Sequence, residues 1–104
     1  MNENGTMNHS EIRQKLEPIF RTAPIERAFL FGSYARGEQT SSSDVDIVID
    51  SKGAIRGIDF FGILEDLREA LDKPIDLLEA SEIVEGGPVQ REIEKTGVVI
   101  YERG

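Results

Sequence analysis

Cysteine and tryptophan are absent from the 104 residues, and histidine occurs once, as His9. Without cysteine the chain has neither a disulfide framework nor a thiolate metal site. No apolar run approaches the length of a membrane-spanning helix, and no basic-then-apolar leader opens the chain. Positive charge is scarce: 12 Lys and Arg stand against 20 Asp and Glu, a net charge of −8. That balance excludes a general role on duplex DNA or RNA, which needs a basic face to displace counterions. Together these absences point to a cytoplasmic protein with no membrane contact and no direct nucleic-acid partner. His9 lies at the edge of a polar opening stretch and receives no role.

What is present suits one small globular domain, because 104 residues cannot build two independent cores. Residues 1–8 read as a flexible N-terminal tail, and 9–104 as the domain. Ile12, Leu16, Ile19 and Phe20 recur at helical spacing. Ser10 is the expected N-cap, Pro24 closes the segment, and Pro18 predicts a kink or early end. Ala28 to Phe31 reads as a short buried strand. Tyr34 to Arg36 fits about one helical turn of packing residues, stopped by Gly37, and Glu38 to Ser43 is a polar loop.

Val45, Ile47 and Ile49 then alternate with Asp44, Asp46, Val48 and Asp50, a period-two strand with carboxylates on one face. Ile58, Phe61, Leu64, Leu67 and Leu71 mark a second amphipathic helix. Because Phe60 and Phe61 are adjacent, they cannot both face one core; one is a candidate interface residue, and oligomeric state stays open. Ile75 to Leu78 is a third strand, the acid-rich Glu79 to Glu85 a solvated turn, Pro88 to Ile93 a last helix stopped at Gly97, and Val98 to Tyr101 a final strand. The fold class is α/β (α+β): a small mixed sheet of about four strands flanked by helices.

The chemistry concentrates in Phe31-Gly32-Ser33-Tyr34-Ala35-Arg36-Gly37 and Ser43-Asp44-Val45-Asp46. Alternate side chains of a strand leave the same face with origins roughly 6–7 Å apart. Asp44 and Asp46 so placed repel each other unless a cation lies between them. Hard divalent ions take such oxygen ligands and keep other positions for water and phosphate. Gly32 lets the backbone turn sharply beside a ligand, and a helical turn beginning at Ser33 offers free amides to phosphate. Arg36 supplies a guanidinium to offset phosphate charge. In an acidic protein, local cations of this kind are what an anionic nucleotide requires. Asp76, an acid inside an apolar strand, completes the metal site if its strand lies beside that of Asp46, or takes a proton from an attacking hydroxyl. Each part alone is common; their joint occurrence is specific.

With Gly32-Ser33, ten intervening residues and Asp44-Val45-Asp46, the chain resembles the minimal nucleotidyltransferase family of the DNA polymerase β-like superfamily. Ala35-Arg36-Gly37 and Ser43 extend the match. The resemblance implies a minimal nucleotidyltransferase fold. It implies a magnesium-dependent transfer of AMP from ATP, with Asp44, Asp46 and Asp76 as catalytic metal ligands for a pair of Mg²⁺ ions. Gly32 and Ser33, with Arg36, are then the nucleotide-binding corner. Small stand-alone members resembling it are antitoxins that adenylylate a tyrosine of a cognate HEPN-domain toxin, in type VII toxin–antitoxin pairs. Two other readings stay open: a small-molecule transferase of the aminoglycoside type, which the lack of room for a second substrate domain disfavours, and an antitoxin that acts by binding alone.

Overall fold

Asn8 starts the first helix, two residues before Ser10. The computed structural model describes residues 6–103. In it α1 spans His9–Arg21, with the Asn8 side chain accepting from the Glu11 amide at 2.8 Å and Glu11 accepting from the Asn8 amide at 3.0 Å. This reciprocal pair satisfies two amides that Ser10 could not reach from inside the helix. Of the expected tail, residues 1–5 lie outside the described residues; Met7 is buried in the core, and its carbonyl accepts from Gln39. Pro18 does not end α1, which continues for three more residues. The hydrogen bond that proline removes would have gone to Gln14, an exposed residue whose carbonyl can turn to water.

The remaining elements follow in the order expected: β1 (Arg27–Phe31), α2 (Gly32–Arg36), β2 (Val45–Asp50), α3 (Ile58–Leu71), β3 (Ile75–Glu79), a 3₁₀ turn (Ala80–Glu82), α4 (Pro88–Thr96) and β4 (Val98–Glu102). The four strands form one mixed sheet in the order β3-β2-β1-β4. β1 runs antiparallel to β2 and β4, while β2 and β3 are parallel, joined through α3. Alternation sorts the two faces. Ala28, Leu30, Val45, Ile47, Ile49, Ile75 and Leu77 point into a core completed by Ile12, Leu16 and Phe20 of α1 and Leu67 and Leu71 of α3. Asp46 and Asp76 fall on the other face. Among the described residues, no helix is long and apolar enough to cross a membrane.

α3 is less buried than its apolar spacing predicts. Ile58 and Phe61 are exposed, whereas Phe60, Ile63 and Leu64 pack partly against the core. Only Leu67 and Leu71, in its C-terminal half, are fully inside.

Glu79 also departs from expectation. It closes the inward-facing series Ile75, Leu77, Glu79 and is only 4% exposed. One carboxylate oxygen accepts from the Ser51 amide at 2.7 Å and the Ser51 hydroxyl at 2.6 Å. The other accepts from the Ser81 amide at 2.7 Å and hydroxyl at 2.5 Å. Burial alone would raise this carboxyl, but the four donors outweigh it and hold it down at about 2. A depressed carboxyl stabilises the fold above its unfolded value, near 4.3, and that contribution fades as pH falls toward 2. Glu79→Gln should therefore cost roughly 1–3 kcal/mol at pH 7, with the gap between variant and wild type narrowing at pH 3. Urea unfolding at the two pH values checks this.

Candidate active site

The site grows from the end of β1. Phe31 is extended, and Gly32 reverses the chain with φ +71°, a left-handed conformation that side chains with a Cβ rarely adopt. α2 begins there and lasts five residues until Gly37, at φ +73°, caps it. Tyr34 and Ala35 are buried, as expected of packing residues, and His9 Nε2 donates to the Tyr34 carbonyl at 2.7 Å. Position 32 also admits no side chain for a second reason. A Cβ built on it would collide with Asp46 Oδ2 and lie 3.1 Å from Asp46 Cγ.

That close approach is set by sheet register. Phe31 pairs with Asp46 across the antiparallel β1–β2 ladder, and Asp46 pairs with Asp76 across the parallel β2–β3 ladder. The Gly32 corner, Asp46 and Asp76 therefore lie side by side at one end of the sheet, with strands ~4.8 Å apart. Asp44 immediately precedes β2 and is exposed, as is Asp76, while Asp46 is half-buried. Ser33 follows Gly32 at the same corner.

The acids crowd one another. Burial is the main reason the Asp46 carboxyl is pushed up to about 6; Asp76, then Asp44, then Glu92 add repulsion, which Arg36 partly offsets. Among the described residues, no three acidic, histidine or cysteine side chains converge as a ready-made metal cage. The donor set nonetheless suits a hard divalent ion. Such an ion is commonly held by one or two carboxylates, with substrate phosphates and water completing the shell, and it would relieve the repulsion recorded at Asp46. Asp46 and Asp76 on adjacent strands, with Asp44 just before β2, are the carboxylates that could hold it.

Arg36 is paired with two acids. Its Nε donates to Glu38 Oε1 at 2.9 Å and its Nη1 to Glu92 Oε2 at 2.6 Å. The same Glu92 oxygen accepts from the Gly32 amide at 3.1 Å. Glu92 comes from α4, which packs against β1 and α2. Sequence reasoning missed it, because nothing in Gln90-Arg91-Glu92-Ile93-Glu94-Lys95 separates this acid from an ordinary charged helix face.

Comparison with known proteins bears on family and fold. The family profile described as polymerase beta, nucleotidyltransferase matches residues 14–104. MJ0435 of Methanocaldococcus jannaschii, named as a candidate protein adenylyltransferase, is 39% identical over 72 residues, covering 69% of this chain and 77% of that protein. The protein adenylyltransferase MntA of Shewanella oneidensis is 33% identical over 55 residues, covering 53% of this chain and 40% of its own length. Among solved structures, a toxin–antitoxin crystal structure with AMP-PNP superposes with a TM-score of 0.72 at 23% identity, covering 93% of this chain and 75% of the other. A complex of tri-AMPylated Shewanella oneidensis HEPN toxin with its MNT antitoxin gives 0.69 at 18% identity, covering 91% and 73%. At these identities the structural likeness establishes the fold.

Proposed function

This chain belongs to the polymerase β nucleotidyltransferase family, and we propose that it transfers AMP from ATP to a hydroxyl of a partner protein. The partner is a cognate HEPN-domain toxin, the acceptor one of its tyrosines, and the chain its antitoxin, acting in the cytoplasm. The observation that carries this reading is the register that sets Asp46 beside Asp76 and against Gly32. The names of the relatives and the contents of the superposed complexes supply the nucleotide and the partner class.

In this reading the acceptor oxygen forms a bond to the α-phosphorus of ATP, the α–β phosphoanhydride bond breaks, and pyrophosphate leaves. Asp44, Asp46 and Asp76 would hold Mg²⁺, which when bound would neutralise phosphate charge and sharpen the acceptor as a nucleophile. Gly32 and Ser33 seat the triphosphate, with Arg36 offsetting its charge. Asp76, exposed at the sheet end, also accepts the acceptor's proton in this reading. A net charge of −8 suits docking to a basic partner.

The test incubates the protein with ATP, Mg²⁺ and the protein encoded beside it, then measures the neighbour's intact mass. A gain of one or more AMP masses is expected. Neutralisation of the neighbour with no mass change, under conditions where nucleotide binds, would replace transfer by contact alone.

A further inference from the structure

α4 reaches the corner from the far end of the chain, and a single oxygen of Glu92 engages two donors there: the Gly32 amide at 3.1 Å and Arg36 Nη1 at 2.6 Å. Both are groups that the proposed reading gives to the triphosphate, and a carboxylate oxygen takes the same kind of charge-assisted hydrogen bond as a phosphate oxygen. We infer that Glu92 is a built-in competitor for the nucleotide, holding the Gly32–Arg36 donors until the triphosphate displaces it.

The rest of the corner is arranged for that exchange. Arg36 Nε is held separately by Glu38 at 2.9 Å, so the guanidinium keeps a tether when Nη1 is released. Glu92 is half-buried at the surface of α4, so its side chain can swing to water without unfolding the helix. A triphosphate entering while Glu92 stayed would meet a fourth carboxylate beside Asp44, Asp46 and Asp76, and would find both donors taken. Displacement restores a positive edge opposite the acidic one. The simpler alternative is that Glu92 merely ties α4 to β1 and α2, and the two roles predict opposite effects on nucleotide affinity.

This inference rests on the nucleotidyltransferase reading of the corner. Its test is calorimetric titration of Mg²⁺ and ATP into the wild-type chain, Glu92→Gln and Glu69→Gln. Glutamine keeps the size of Glu92 and removes its charge; Glu69, exposed on α3, controls for a change in net charge alone. Glu92→Gln should bind about tenfold more tightly than wild type, with a lower KM for ATP, and Glu69→Gln should match wild type. Unchanged or weaker binding by Glu92→Gln, or equal tightening in Glu69→Gln, overturns the inference while the nucleotidyltransferase reading stands. A wild-type chain that binds no ATP overturns both.

Discussion

Asp46→Asn will lower nucleotide transfer by at least about 100-fold and will make the protein harder to unfold at neutral pH. The first effect follows from the proposed role, since an amide has lost the negative charge that holds a divalent ion against phosphate. The second follows from the surroundings of the native side chain. Burial and the neighbouring Asp76, Asp44 and Glu92 push the Asp46 carboxyl up to about 6. An acid raised above its unfolded value contributes stability that is fully present below about 4 and lost as pH rises through about 6. At pH 7 the ionised form is therefore a net cost to the fold. Removing that charge should return roughly 1–2 kcal/mol, allowing for solvent screening at a half-buried position. Loss of transfer with a gain in stability marks a residue kept for chemistry, and thermal unfolding beside a transfer assay reads both. At limiting Mg²⁺, transfer by the wild-type chain should decline as pH falls below about 6, where a proton competes with the cation for Asp46.

Gly32→Ala carries the second large effect, by a different route. The residue sits at φ +71°, which costs an alanine roughly 1–2 kcal/mol on its own. Its new methyl group would also drive into Asp46 Oδ2, so either the corner opens or Asp46 turns away. The two costs together should destabilise the fold by roughly 2–4 kcal/mol, and transfer should fall by at least about 100-fold, because the displaced acid and corner are the proposed site. A double-mutant cycle separates the parts. In an Asp46→Ala background the collision is gone and only the backbone cost remains, so Gly32→Ala should then destabilise by roughly 1–2 kcal/mol. Equal destabilisation in both backgrounds, measured by urea midpoint, would show that Gly32 is required for its backbone alone.

The sequence was most legible where chemistry and local structure coincide. Gly32-Ser33 and Asp44-Val45-Asp46 announce themselves because a strand end, a left-handed turn and a second strand constrain residue type within fifteen consecutive positions. Asp76 was legible as an outward acid because Ile75 and Leu77, its neighbours in the strand, claim the core-facing side. That β3 lies directly beside β2, with Asp46 opposite Asp76, was an assumption that the sheet order answers.

What escaped lies in distance and in strand length. The pairing of Arg36 with Glu92 spans 56 positions, and no periodicity connects two surface charges on separate helices. Glu79 looked like the start of a solvated acidic turn. It is instead the last inward residue of β3, because its two oxygens collect donors from Ser51 and Ser81. Ile58 and Phe61 obeyed the spacing of an amphipathic helix, yet both are exposed. Local pattern fixes which face of an element is apolar; only tertiary placement fixes how much of that face finds a partner.

Calorimetric titration with a non-hydrolysable ATP analogue, in Mg²⁺ and again in EDTA, bears most directly on the Gly32–Asp46–Asp76 corner. Binding in Mg²⁺ that disappears in EDTA, and that Asp46→Asn abolishes, is expected. Binding of equal strength with and without the metal, or undiminished in Asp46→Asn, would contradict the assignment of these aspartates as the groups that gather cation and nucleotide.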